Sequence, residues 1–168
     1  MRLYHGSNLI VSQIDLSLCR PYKDFGQGFY LTTLREQAER MAQRTALVFG
    51  GIPITSVFDF DEQKTEELST LEFNDVTRDW AQFVVNNRSR SFRDFSSALN
   101  NHDNKYDMVI GPVANDDLAL LFRQFSTGLI DLDILAKGLE FKHLNDQYSF
   151  HTNKGIALLE YIGANDDQ

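Results

Sequence analysis

Two short segments near the N-terminus constrain the fold of this chain most. Residues 3–7 read Leu-Tyr-His-Gly-Ser, and residues 25–32 read Phe-Gly-Gln-Gly-Phe-Tyr-Leu-Thr. Strand-forming residues dominate the first segment and Phe29–Thr32, while Gly26 and Gly28 suit a turn. The sequence therefore predicts two strands, one that begins almost at the first residue and one that follows a glycine-spaced turn.

Helical and strand patterns alternate irregularly along the rest of the chain. Thr33 and Glu36 stand at the spacing of a capping box, and apolar residues at helical intervals follow them as far as Val48. Residues 61–70 are polar and charged, which predicts an exposed connection. Strands are further predicted at Ile54–Phe60, Tyr106–Ile110 and Gln147–Phe150, and helices at 75–87, Leu118–Phe125, Asp131–Leu139 and Asn153–Tyr161. These elements predict an α+β fold with flanking helices. A mixed or antiparallel sheet that is split around a cleft is consistent with them.

Length and composition predict a single domain. The chain has 168 residues, of which 42% are hydrophobic and 12% aromatic, enough for one buried core and too apolar for global disorder. We expect a domain over residues 1–163, followed by a polar tail at 164–168.

Charge and cysteine usage narrow the function class and the compartment. The net charge of −8 disfavours non-specific binding to nucleic acid, which requires Lys and Arg, although a local basic groove stays possible. Cys19 is the only cysteine, so a disulfide framework is excluded and a small structural residue is expected rather than a nucleophile. The chain has no apolar run of roughly 18 residues and no apolar leader, which predicts a cytoplasmic protein that does not enter membranes. No metal site is expected, because the spacing of His102, His143 and His151 matches no metal-ligand motif.

The glycine-spaced turn matches none of the common phosphate-binding motifs. No Gly-Lys-Ser/Thr follows Gly28, and Leu31 stands where a dinucleotide-binding fingerprint has its third glycine. His5 beside Gly6, however, can present an imidazole and an unobstructed backbone edge to one ligand, because glycine has no Cβ. The alternative is that His5 merely belongs to a strand.

Taken in order, the two segments resemble the first two signature elements of the ADP-ribosyltransferase superfamily, in the branch of the poly-ADP-ribose polymerases. That resemblance implies that NAD is the substrate, that His5 binds a ribose hydroxyl and that the Gly6 backbone pairs with the nicotinamide amide. It also implies that Tyr30 stacks on the nicotinamide ring, as flat rings can. Ser7 and Gly28 belong to the same two motifs and are expected in the NAD site with them.

The helix after the second motif departs from the polymerase pattern. Ala38 stands where the superfamily often has a Ser for the nicotinamide amide, and Met41 stands where it has a second stacking Tyr. A methionine can still pack against a ring, so Met41 is retained as an NAD contact. The resemblance therefore implies weaker recognition of the nicotinamide than in the polymerases.

Most of the chain also resembles a family of small, uncharacterised bacterial domains that are assigned to this superfamily. The shared blocks are the opening Tyr-His-Gly-Ser, the run Asp24–Thr32, a Trp helix that ends near Asn87-Arg88, the segment Ile110–Asp116 and the closing segment Gln147–Thr152. This resemblance implies the split-sheet ADP-ribosyltransferase fold.

Gln147 takes the position at which the superfamily has a catalytic Glu. Cleavage of the nicotinamide bond builds positive charge on the ribose, which a carboxylate can stabilise, whereas an amide only accepts a hydrogen bond. Gln is usual here in the bacterial family, so a carboxylate from elsewhere becomes of interest. Asp116 and Asp117 are the candidates, with Asp116 expected in the NAD site; capping of the next helix is the alternative.

The resemblance implies a mono-ADP-ribosyltransferase, toxin-like in character, that uses NAD to modify a protein or nucleic-acid acceptor and that an antitoxin protein would control. His5, Tyr30 and Gln147 are the expected catalytic set. An NAD glycohydrolase and a non-catalytic module that binds NAD or ADP-ribose stay open, and a gain of turnover in Gln147→Glu would separate them. Four basic residues are candidates for the pyrophosphate or are solvated loop charges: Arg20, Lys23, Arg88 and Arg90.

Overall fold

The computed structural model describes residues 1–113, 119–139 and 146–164, and in these residues seven strands form one sheet flanked by helices. The strands are β1 (Arg2–Ser7), β2 (Phe29–Thr32), β3 (Ile54–Phe60), β4 (Thr70–Glu72), β5 (Met108–Pro112), β6 (Asp146–Phe150) and β7 (Leu159–Ala164). The helices are α1 (Arg35–Phe49), α2 (Arg78–Arg88), α3 (Ala119–Ser126), α4 (Leu132–Leu139) and the short α5 (Asn153–Ile156). Two 3₁₀ turns, Leu16–Leu18 and Glu62–Glu67, lie in the connections.

The sheet is mixed. Its strand order is β4-β5-β6-β2-β1-β3-β7. The β4 and β5 strands run parallel, and the other neighbouring strands run antiparallel. The α+β class and the mixed sheet are therefore confirmed.

The centre of the sheet has a gap between β1 and β2. Strand β1 pairs with β3 in continuous register from Arg2↔Asp59 to Ser7↔Ile54, whereas it pairs with β2 only at Tyr4↔Thr32. Beyond that pair, the imidazole of His5 reaches across, and its Nδ1 lies 2.8 Å from the carbonyl oxygen of Tyr30. A side chain thus satisfies a backbone group that a longer ladder would have paired, and the two strands leave room for a cavity.

The two faces of the sheet pack into two separate apolar clusters. Successive strand residues point to opposite faces, so Met108 joins one cluster and its neighbour Val109 joins the other. The cluster around Val109 also contains Trp80 and Phe83 of α2 and Phe25 of the glycine-spaced turn. The glycine-spaced turn is therefore anchored to the core by the aromatic residue that opens it.

The expected capping box at the start of α1 is wrong. The helix begins at Arg35 with Leu34 as its N-cap, and no side chain caps it. The hydroxyl of Thr32, one residue before the predicted cap, accepts from the Leu34 N–H and donates to the side chain of Gln37. The end of β2 therefore supplies the polar contacts at this junction.

The predicted helix from Asn153 to Tyr161 is also wrong beyond its first turn. Thr152 caps α5 by accepting from the Gly155 N–H, but the helix ends at Ile156 and the chain continues as β7 along β3. Burial alternates along Leu159–Ala164, as in an edge strand, and long-range pairing prevails over local pattern here. Ala164, expected in the tail, belongs to this strand, and residues 165–168 lie outside the described residues.

One smaller difference concerns a connection. The predicted exposed connection at 61–70 ends in β4, which begins at Thr70 and, with three residues, is too short for a sequence pattern to indicate it. In the described ranges, none of the helices combines the length and the apolar character that crossing a membrane requires.

Candidate functional site at the gap in the sheet

A cavity of about 560 Å³ lies where β1 and β2 separate. Its volume is in the range of small-molecule sites. Seven of the predicted site residues line it, from four different elements and the turn before β2: His5, Gly6, Ser7, Gly28, Tyr30, Met41 and Gln147. The eighth, Asp116, lies outside the described residues, as does Asp117.

His5 presents a neutral ring with a defined tautomer to this cavity. A carbonyl oxygen only accepts, so the Nδ1 that lies 2.8 Å from the Tyr30 oxygen must carry the proton. Burial lowers the pKa of His5 below its ordinary value, against the opposing effect of this hydrogen bond. The ring packs on Phe29 with a centroid separation of 4.4 Å. The remaining nitrogen, Nε2, is therefore a hydrogen-bond acceptor.

Gln147 presents an acceptor as well, because of a carboxylate behind it. Its Nε2 donates to Oδ2 of Asp24 at 3.2 Å, and a carboxylate accepts only, which fixes the orientation of the amide. Among the described residues, no buried side-chain nitrogen or oxygen lacks a hydrogen-bond partner. Within the part of the chain that the structure describes, the Oε1 of Gln147 and the Nε2 of His5 have no hydrogen-bond partner, so both have access to solvent, which at these residues is the cavity.

Asp24 is a buried residue that the sequence analysis did not single out. Only 9% of its surface is exposed, and its Oδ1 accepts from both Nε and Nη2 of Arg88, at 2.8 and 2.6 Å. The expectation that Arg88 either contacts a pyrophosphate or is solvated is thereby corrected, because its guanidinium pairs with Asp24 and does not line the cavity. The sequence feature that could have identified Asp24 is its position as the acidic residue at the start of the Asp-Phe-Gly-x-Gly run.

Tyr30 is held rigidly by its hydroxyl. That group accepts from the Phe25 N–H at 3.0 Å and donates to the Gly26 carbonyl at 2.7 Å. Burial, and after it the charge of Asp24, raises the pKa of Tyr30 well above its ordinary value. The hydroxyl is thus a structural group, and the ring, over which the Lys23 ammonium lies at 5.3 Å, is what Tyr30 offers to a ligand.

The two motif glycines at the cavity are required by close packing. A Cβ on Gly6 would lie 1.9 Å from the Ala38 carbonyl oxygen of α1, and a Cβ on Gly28 would lie 2.5 Å from Nδ1 of His151. Both distances are far below van der Waals contact. Gly6 therefore lets α1 approach β1, a role that the sequence analysis missed because it considered only the open backbone edge.

The His151 side chain supports the site from behind. Its Nδ1 donates to the Gln27 carbonyl within the glycine-spaced turn, at 2.8 Å, and its Nε2 lies 2.8 Å from the hydroxyl of Ser149. Burial lowers the pKa of His151 to about 4, so the ring is neutral with its proton on Nδ1. The Ser149 hydroxyl proton lies between two acceptors, Nε2 of His151 and the Val109 carbonyl, which is 3.0 Å from that hydroxyl. Among the described residues, no three His, Cys, Asp or Glu side chains are grouped so that they could hold a metal ion.

Basic and apolar residues form the outer part of the cavity. Arg20 and Lys23 both line it, which places two cations at one site of a chain whose net charge is −8. Cys19 lines it too, and burial raises the pKa of its thiol, which disfavours the nucleophilic thiolate. The lining also includes exposed apolar side chains: Leu9, Ile10, Leu18, Met41 and Phe49.

Comparison with known proteins gives a family and no activity. A family model described as "Protein of unknown function (DUF3990)" matches residues 1–161. No curated protein and no solved structure matches the chain.

Proposed function

The chain belongs to the DUF3990 family of unknown function. For this chain we propose an NAD-dependent mono-ADP-ribosyltransferase with the split-sheet ADP-ribosyltransferase fold. The observation that carries the proposal is the meeting of His5, Tyr30 and Gln147 at one cavity. These residues come from three strands and are up to 142 positions apart in the sequence. The motif resemblance independently assigns all three to a single ligand, which agrees with their common place at the cavity.

The polarity of the cavity wall supports a sugar ligand. His5 Nε2 and Gln147 Oε1 are both acceptors, because the opposite nitrogen of each side chain donates to the protein. A ribose offers hydroxyl donors that match such acceptors. A carboxylate or phosphate in the same place would find no donor on either side chain.

The remainder of the lining supports the two other parts of NAD. A ligand ring that stacks where Lys23 now lies over Tyr30 would displace that ammonium and leave it available to the diphosphate, together with Arg20. Met41, half-exposed at the cavity, would pack on the edge of the ring. Arg20 and Lys23 provide the positive charge that a diphosphate needs.

The chemistry proposed is a substitution at the nicotinamide ribose. The bond between the ribose carbon and the nicotinamide nitrogen breaks, and nicotinamide leaves with the bonding electrons. A nucleophile of the acceptor then bonds to that carbon and loses its proton. His5 and Gln147 orient the ribose, and neither Gln147 nor the hydroxyl of Tyr30 is available as a base, so the proton leaves through the acceptor or solvent.

One observation favours a second function, a binding module without turnover. The amide of Gln147 carries no charge and cannot itself stabilise a cationic sugar in the way that a carboxylate can. Such a module would bind NAD or ADP-ribose in the same cavity and release no nicotinamide.

The test is nicotinamide release from NAD by the purified protein, with and without cell lysate and with NAD labelled in the ADP-ribose part. His5→Ala removes the cavity acceptor, and His102→Ala is the matched control, because His102 does not line the cavity. We expect release that His5→Ala reduces at least about 100-fold and that His102→Ala leaves unchanged, with label joined to a macromolecule in lysate.

Three other results would change the conclusion. Release without labelled macromolecule would identify a glycohydrolase. Binding of NAD that His5→Ala abolishes, without release, would identify the binding module. A folded protein that neither binds NAD nor releases nicotinamide would overturn the proposal.

A further inference from the structure

Behind the cavity wall, a chain of three polar side chains connects α2, the glycine-spaced turn and β6. Arg88 contacts Oδ1 of Asp24 through two nitrogens, and Oδ2 of the same carboxylate accepts from Nε2 of Gln147. Only Gln147 of these three lines the cavity. Asp24 and Gln147 are each nine-tenths buried, so their contact is well shielded from solvent.

The orientation of the Gln147 amide depends on Asp24. Oδ1 is engaged by Arg88, and Oδ2 is the oxygen that the amide meets. A carboxylate has no donor, so the NH₂ of Gln147 must face it and the carbonyl oxygen must face away. An amide at position 24 would still accept from Arg88 through its oxygen, but would offer an NH₂ to Gln147. Gln147 would then invert and present a donor to the cavity.

We propose that Asp24, paired with Arg88, is a positioning residue that holds Gln147 Oε1 toward the ribose and that polarises the amide through the hydrogen bond from its NH₂, so that Oε1 is a stronger acceptor. This inference rests on the proposed transferase function. Gln147 and Asp24 together then form one unit, in which the amide makes the contact and the carboxylate orients and polarises the amide. The substrate class that this unit favours is a sugar that becomes cationic as its bond to a leaving group breaks.

The inference predicts that Gln147→Glu does not gain turnover. A glutamate there would lie beside Asp24 at hydrogen-bond distance, and two carboxylates so close repel each other or share a proton. The single variant is therefore expected to lose turnover. Exchanging the pair, Asp24→Asn with Gln147→Glu, preserves one negative charge, one donor between the two side chains and an acceptor toward the cavity.

The kinetic test compares four proteins and a control in the nicotinamide-release assay. We expect Asp24→Asn and Gln147→Glu each to lower kcat on the order of 100-fold, with the KM for NAD changed less than about threefold. The double variant should recover at least about tenfold over either single variant, which a merely structural ion pair would not give. Asp133→Asn is the matched control, since it removes a carboxylate from an exposed surface ion pair with Arg78.

A second readout does not depend on activity. The side-chain NH₂ of Gln147 is assigned in an ¹⁵N–¹H spectrum as the pair of signals that Gln147→Glu removes. In Asp24→Asn we expect this pair to shift and to exchange faster with water, because the NH₂ then faces the cavity. Asp133→Asn should leave it in place.

The outcomes separate the two proposals. If the Gln147 signals do not move in Asp24→Asn, the positioning role is overturned whatever the activity. If they move and the unmodified protein releases no nicotinamide, the positioning role is supported and the transferase function is overturned. If the protein is active and the double variant is no better than Asp24→Asn, the polarising role is overturned.

Discussion

At the scale of single residues, one backbone carbonyl determines what His5 can do. The Tyr30 oxygen fixes the proton on Nδ1, and burial keeps the ring neutral by lowering its pKa. Nε2 is therefore an unprotonated hydrogen-bond acceptor at neutral pH. Protonation would turn it into a donor and, in the proposed reaction, would place a positive charge beside the sugar as that sugar becomes cationic.

For the proposed transferase activity, we expect the decline in rate at low pH to be determined by His5. As pH falls through the lowered pKa of His5, the acceptor is lost, so kcat/KM for nicotinamide release should fall about tenfold per pH unit below it. The decline should begin below pH 6.5, since the shift is downward from 6.5. His5→Gln, which keeps an acceptor that does not titrate, should be less active at pH 7.5 and flat over this range. An unchanged acid limb in His5→Gln would assign the limb to another group.

The residue scale also shows where prediction from the sequence ends. His5, Tyr30 and Gln147 could be predicted to lie together because each belongs to a short motif of recognisable residue types. Asp24 could not be assigned its role, because its partner Gln147 lies 123 positions away and a single carboxylate in a turn has many ordinary explanations. The steric need for Gly6 likewise depends on where α1 lies, which no local pattern states.

At the scale of elements, strands β1 to β3 and helix α2 form where the sequence pattern predicts them. The C-terminal segment does not form the helix that its pattern predicts. Residues 153–161 have the composition of a helix, yet β3 has a free edge that Leu159–Ala164 covers. Pairing with β3 satisfies backbone groups along the whole segment, which outweighs a weak helical preference. Such a choice depends on a sheet edge formed by residues about 100 positions earlier.

Asp107 joins three elements at the other edge of the sheet. One oxygen of its carboxylate accepts from the Ser69 N–H, just before β4, and the other accepts from the hydroxyl of Thr152, which caps α5. The backbone of Asp107 also bonds to Ser69 and to His151. This single side chain therefore fixes the edge strand β4 and the turn after β6.

Replacing Asp107 should loosen β4 more than the rest of the fold. We expect Asp107→Ala to lower the free energy of unfolding by about 2 kcal/mol, because hydrogen bonds to a charged group contribute about that much. Amides of residues 70–72 should exchange with solvent much faster, and those of β3 should change only with the global stability. Asp59→Ala, which removes an exposed carboxylate near the N-terminal amine, is the control and should stay within about 0.5 kcal/mol. Equal effects of the two variants would contradict this role.

At the scale of the whole molecule, acid affects an acidic protein in two opposite ways. With a net charge of −8, protonation of surface carboxylates relieves self-repulsion as pH falls. Buried neutral histidines act in the other direction. Between its folded pKa and its higher unfolded pKa, such a histidine binds a proton only when the chain is unfolded. Acid therefore stabilises the unfolded state in that pH range.

His151 should dominate the acid sensitivity of the fold. Its pKa is about 4 in the folded protein against 6.5 for an ordinary histidine, so stability is full above pH 6.5 and is lost as pH falls toward 4. The loss should reach about 3 kcal/mol, from 1.36 kcal/mol for each pKa unit. Urea unfolding between pH 7.5 and 4.5 measures it. His151→Asn, which can keep the donor to Gln27 but does not titrate, should be less stable at pH 7.5 and should show a shallower decline with acid. His102→Asn should retain the decline of the unmodified protein, and a decline that His151→Asn leaves equally steep would assign it to other groups.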